Sequence, residues 1–299
     1  MRRVLALTGI AVALVIGGIL ALTSPPRLLS AYDWAAGGGT GAQLVAEGVA
    51  FGSQGQTLDI WAPADAPSGQ LPVVMFWYGG GWAKGDRASY AFAGRALARE
   101  GFLVVIADYR KVPKVLFPAF LEDGAEAVAW TRDNIARFDG NPDRIAFMGH
   151  SAGAYQAIML ALDDRWLRAE GVDPGIVTAA VGLSGPYDFY PFDKPRSIAA
   201  MGQWPRPLET QPIEYARKDA PPMLLVTSEG DTTVRPKNAN NLAARLRELG
   251  APVKAINYGP LDHEEIVMAL SVPFRSKGPV LADSVAFLRA ARGTGDVAP

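Results

Sequence analysis

The sequence predicts an α/β class domain, a mostly parallel central sheet with helices on both faces, preceded by an N-terminal transmembrane helix. Three observations carry that prediction. Short, nearly continuous apolar runs at 57–61, 72–78, 102–107, 144–148, 177–183, 222–228 and 252–258 are rich in β-formers. Helical patterns at 90–99, 121–137, 152–162, 238–249 and 280–291 fall between or after them. Strands without a polar face belong to a sheet covered on both sides, which is how β/α alternation folds. Finally, 299 residues, 49% of them hydrophobic, suffice for one large core.

Taken in order, the chain opens with Arg2 and Arg3 and then runs uncharged and mostly apolar over residues 4–23, until Pro25 and Pro26 end it. That length spans roughly 30 Å of hydrocarbon as a helix. No clean small-x-small cleavage site follows, so residues 1–26 are expected to be an uncleaved membrane anchor. Arginines retained on the cytoplasmic side would place the rest of the chain on the extracytoplasmic, in a bacterium periplasmic, side. Cleavage as a signal peptide, releasing a secreted protein, is the alternative. Residues 27–43, with Gly37, Gly38, Gly39 and Gly41, are expected to be a flexible linker. The folded domain is expected over 44–293, with 294–299 a small, polar, disordered tail. Within the domain, 185–220 lacks a clear period and is expected to be a small lid-like insertion.

Composition narrows the chemistry. Lysine and arginine number 29 against 30 acids, a net charge of -1, so no global field draws the chain to nucleic acid. A small organic substrate fits better. The absence of cysteine removes thiolate metal sites, disulfides and a cysteine nucleophile, and two histidines are too few for a histidine-rich metal centre. No metal or cofactor is expected. A base with a naturally near-neutral pKa must be His150 or His263.

Gly149-His150-Ser151-Ala152-Gly153 matches G-x-S-x-G where a strand meets a helix. A turn that sharp leaves no room for side chains two residues either side of the serine, which exposes Ser151 as a nucleophile. The helix that follows aims its free N–H groups at the same point. Upstream, Tyr78-Gly79-Gly80-Gly81-Trp82 follows another strand. Its glycines let backbone approach a substrate, so the N–H groups of Gly80, Gly81 and Ala152 are expected to surround a developing oxyanion. Serine needs a base to take its proton and a carboxylate to orient that base. His150 adjoins Ser151 and would point away, so His263 is chosen as base. Asp231, in the loop after the strand at 222–228, is chosen as the acid. Asp262, Glu264 and Glu229 are rivals, expected to be solvated loop charges.

With these residues assembled, the chain resembles the α/β-hydrolase superfamily, and more narrowly its bacterial carboxylesterases of the hormone-sensitive-lipase-like and acetyl or feruloyl esterase (BD-FAE-like) group. The resemblance runs over about residues 46–288. It rests on Y-G-G-G-W, A-D-Y-R, F-P-A-F-L-E-D-G, F-D-G-N-P-D-R-I, G-H-S-A-G, P-P-M-L-L-V-T-S-E-G-D-T-T-V and the D-H-E segment, in that order. Tyr78 departs from it, since the family usually has histidine before the glycines. The resemblance implies a Ser151–His263–Asp231 triad cleaving carboxylic esters through an acyl-enzyme. Amide or peptide hydrolysis, as in formamidases, and a non-catalytic membrane-anchored binding module are the competing readings, and acyl transfer to an alcohol stays open. Tyr78, Trp82, Tyr109, Phe117 and Tyr187, with Phe189, Tyr190, Phe192 and Trp204 from the 185–220 segment, are candidate pocket walls. Oligomeric state and natural substrate are not legible.

Overall fold

The computed structural model describes residues 24–66 and 70–293. Eight strands form one sheet in the order β1-β2-β4-β3-β5-β6-β7-β8. They are β1 Ala42–Phe51, β2 Gln56–Pro63, β3 Leu71–Trp77, β4 Leu103–Ala107, β5 Gly140–His150, β6 Val177–Leu183, β7 Met223–Ser228 and β8 Val253–Tyr258. β1 and β2 pair antiparallel, as do β2 and β4, and every other neighbouring pair is parallel. All seven runs expected from apolar continuity are strands. The central ones are buried along nearly their whole length, so both faces are covered.

The covering helices are α2 Ala91–Ala98, α3 Ala119–Asn134, α4 Ala152–Leu162, α7 Lys237–Glu248 and α9 Val280–Gly293, with α1 Pro25–Asp33, α5 Arg165–Ala169, α6 Pro195–Met201 and α8 His263–Met268 between them in the chain. α4 packs on β3, β5 and β6 and against α3, while α9 packs against α2 and β6. β3, β5, β6 and β7 all point their C-terminal ends at one rim, where the loops carrying Tyr78, Ser151, Ser184 and Asp231 emerge. Open parallel sheets place their sites at that end.

Two expectations need correction. Residues 27–43 are no flexible linker: they complete α1, continue through a π-helical turn, Trp34–Gly38, and enter β1. A buried ion pair, Asp33 Oδ2 to Arg95 Nη2 at 2.8 Å, pins this segment to α2. Arg95 also donates to the Ser30 carbonyl at 2.7 Å, and Asp33 Oδ1 accepts from the Val272 N–H at 2.8 Å. The lone Asp33 gave no hint of a partner 62 positions away. β1 was missed for a related reason. It is an edge strand, largely exposed, with register shifts against β2, so it shows neither a continuous apolar run nor clean alternation. The expected membrane helix at residues 1–23 and the tail at 294–299 lie outside the described residues. Among the described residues no helix is long and apolar enough to cross a membrane. The 185–220 insertion is partly ordered, with α6 and two 3₁₀ turns, Pro207–Thr210 and Pro212–Tyr215.

Candidate active site

Ser151 stands between β5 and α4 with φ 55° and ψ -122°, a conformation that a residue other than glycine holds only where its surroundings enforce it. Its N–H donates to Leu183 O of the neighbouring β6 at 2.8 Å, and its carbonyl accepts from Tyr155 N at 3.0 Å. The flanking glycines are steric necessities. A Cβ on Gly149 would overlap the Gly153 carbonyl, and one on Gly153 would overlap the carbonyl of Trp77 in β3.

His263 Nε2 lies 2.8 Å from Ser151 Oγ, and His263 Nδ1 lies 2.8 Å from Asp231 Oδ2. Because a carboxylate only accepts, Nδ1 carries the ring proton, leaving Nε2 to accept from the Ser151 hydroxyl. Burial opposes ionisation of Asp231, but the hydrogen bond and charge of His263 and the N–H of Val234 outweigh it and hold the carboxyl below its usual pKa. The Thr233 and Val234 N–H groups both donate to Oδ1, at 2.9 and 2.8 Å, leaving Oδ2 to the histidine.

His263 opens the short helix α8, so its position is set by that helix's start. Asp262 caps it, accepting from Glu265 N at 2.8 Å while Glu265 Oε2 accepts from Asp262 N at 2.9 Å. Asp262, expected as a solvated rival carboxylate, is therefore a helix cap; Glu264 and Glu229 are exposed. The Ser228 hydroxyl, 2.6 Å from Leu261 O, ties the end of β7 to the same loop. His150 points away from Ser151, as expected, and does more than pack. Its Nε2 donates to the His263 carbonyl at 3.0 Å, which leaves Nδ1 to accept from Tyr90 Oη at 3.4 Å. Burial, with the neighbouring His263 ring, pushes its pKa down to about 3, so it is neutral at physiological pH.

The glycine loop turns beside Ser151 with φ 133° at Gly80 and 59° at Gly81. Ala83 and Lys84 donate back to Gly80 O at 3.2 and 3.1 Å, closing a tight turn. Tyr78, in the place of the usual histidine, anchors the loop from below. Its hydroxyl donates to Asp108 at 2.8 Å, its ring stacks on Tyr109 at 4.8 Å, and its carbonyl accepts from Tyr109 Oη at 3.1 Å. Gly80 lines one cavity with Ser151, while Gly81 and Ala152 line another with it. The Ala152 N–H belongs to the first turn of α4, where no helical carbonyl is available to it.

The first cavity, about 1210 Å³, extends from Ser151 and His263 to α1; the second, about 120 Å³, adjoins it at Ser151, Lys194, Arg196 and Thr233 and runs under α6. Of the expected pocket walls, Trp82 and Phe189 line the smaller one. Tyr78, Tyr109, Phe117 and Tyr187 line neither. They are buried in packing, because aromatic residues near a site are usually core. Sequence reasoning missed Leu28, Leu29 and Tyr32 of α1, and Lys194 at the start of α6 and Arg196 within it, which line these cavities. Pro195 at the first position of α6 was the one available signal. Among the described residues no group of three or more histidine and acidic side chains could hold a metal ion.

The family model BD-FAE matches residues 58–246, more than half of the chain and including Ser151 and Asp231. The chain belongs to the BD-FAE family. Its α/β-hydrolase fold is shared with an esterase of Pyrobaculum calidifontis (21% identity, 92% of this chain and 97% of that one, TM-score 0.69) and with the carboxylesterase EstE1 from a metagenomic library (21%, 90% and 98%, TM-score 0.72). Among curated relatives, esterase LipC of Mycobacterium tuberculosis is 31% identical over 64% of this chain and 52% of its own length. An isoprenylcysteine α-carbonyl methylesterase of Arabidopsis thaliana is 27% identical over 81% of this chain and 61% of its own. This chain thus spans only a little over half the length of these relatives.

Proposed function

We propose that this BD-FAE family member is a carboxylesterase that works through an acyl-enzyme on Ser151. The observation that carries the reading is the unbroken line from Asp231 Oδ2 through the His263 ring to Ser151 Oγ, both links 2.8 Å, ending at a strained elbow. In the reaction, Ser151 Oγ attacks the ester carbonyl as His263 Nε2 takes its proton. Ionised Asp231 stabilises the imidazolium. The Gly80, Gly81 and Ala152 N–H groups face the negative charge that forms on the carbonyl oxygen. His263 then protonates the departing alcohol, and the sequence repeats in reverse with water to free the acid. The named esterases among its relatives support the same chemistry.

The test is hydrolysis of p-nitrophenyl acetate and butyrate by the full chain and by Ser151→Ala, beside labelling with a fluorophosphonate. Turnover and rapid labelling that both vanish in the variant are expected. Equal rates in the two proteins, with no labelling of either, would rule out the proposal.

A further inference from the structure

From the two unequal cavities that meet at Ser151, we infer that the substrate is an ester with one long apolar limb and one short limb, and that helix α1 is the wall that selects for the long one. The inference rests on the esterase reading and names its substrate class.

Ser151 lines both cavities, and one is about 1210 Å³ against about 120 Å³ for the other. The larger exceeds the span of about 300–1,000 Å³ usual for small-ligand pockets, and a short acyl group leaves most of it empty. Its inner lining is apolar: Leu28 and Leu29 of α1, Phe92, Val267 and Met268 of α8, and Phe274. Its charged members, Lys84, Lys194, Arg196 and Glu264, are all exposed, so they mark the rim. Such a space takes an alkyl or polyprenyl limb, each buried methylene adding about 0.8 kcal/mol of transfer free energy, roughly a fourfold gain in affinity. The smaller pocket is more mixed, with Ser197, Thr233, Arg235 and Asn238 beside Trp82 and Phe189. It fits a short limb that remains partly hydrated.

α1 is held firmly enough to act as a wall. Its Asp33 is clamped by Arg95 and the Val272 N–H, and its Tyr32 ring meets Phe274 edge-on with centroids 6.1 Å apart. Ser30 and Asp33 are the buried residues of this nine-residue helix, and both are held by Arg95.

The test compares kcat/KM within each protein for two matched series on the full chain in mild detergent. p-Nitrophenyl acetate, butyrate and decanoate lengthen the acyl limb; butyl and decyl acetate lengthen the alcohol limb. In one series the decyl or decanoyl member is expected to exceed its short counterpart by about tenfold or more, and that series identifies the limb housed under α1. Leu29→Trp and Met268→Trp, which fill the cavity, are expected to lower that long-to-short ratio by about tenfold. Because the wild-type profile alone decides the first point, a variant that fails to fold does not block the test. A wild-type enzyme that turns over acetates but declines with chain length in both series overturns the inference and leaves the esterase reading standing. A ratio unmoved by either tryptophan does the same. Absence of any turnover and of fluorophosphonate labelling overturns the esterase reading and this inference together.

Discussion

In the proposed reaction Asp231 acts on Ser151 through one proton. By accepting from Nδ1 it keeps the lone pair of His263 on Nε2, facing the hydroxyl 2.8 Å away. Asp231→Asn can still hydrogen-bond the ring, but an amide N–H favours the tautomer with its proton on Nε2, which cannot take one from serine. A fall of about 10⁴-fold in kcat for p-nitrophenyl butyrate is expected with the fold intact by circular dichroism. A loss below tenfold would show that the carboxylate does not set the tautomer. These three residues were legible because each sits where a strand gives way to a loop, and because only two histidines were available. The pocket walls were not. Whether Tyr109 or Phe117 faces a cavity or the core depends on which neighbours cover it, and no local pattern encodes that; both turn out to be covered.

At the scale of elements, α1 shows what a one-dimensional reading cannot see. Its glycine-rich exit and prolines look like a tether, and its stability comes from a charge pair closed across α2. Arg95 and Asp33 are both almost fully buried, with side-chain exposures of 6% and 2%. Removing one partner leaves the other charged and dry, which costs about 3–5 kcal/mol, whereas replacing both by apolar residues is often close to neutral. Arg95→Met is therefore expected to free residues 27–33 to exchange their amide hydrogens far faster than in the native protein, and Arg95→Met with Asp33→Leu to restore much of the protection. Hydrogen exchange read by mass spectrometry follows both. Unaltered protection in Arg95→Met would mean that apolar contacts, not the ion pair, hold the helix. The strands β2 to β7 were legible for the opposite reason. Burial on both faces writes itself into sequence as an unbroken apolar run, while the exposed edge strand β1 leaves no such trace.

For the molecule as a whole, assembling the site concentrates ionisable groups at one rim, and this ties global stability to pH in a way that can be worked out. His150 is buried among Tyr90, His263 and Asp231, and its pKa falls from 6.5 to about 3, chiefly because burial excludes the charged form. Below pH 6.5 the unfolded chain binds a proton there that the folded protein refuses until about pH 3. The contribution of neutral His150 is thus complete above pH 6.5 and is lost steadily as pH falls toward 3. Asp231 works lower on the scale. Its carboxyl is held below the ordinary 3.8, so its stabilising charge is intact through this range and is lost only as pH falls beneath that value. Between pH 7 and 5 the share of lost stability that belongs to His150 is about 2 kcal/mol. His150→Asn removes the titration while keeping a side chain able to donate to the His263 carbonyl. Urea unfolding at the two pH values is expected to show the native protein losing about 2 kcal/mol more than the variant. The same loss in both would mean that His150 already carries a second proton in the folded state, so that Nδ1 does not accept from Tyr90.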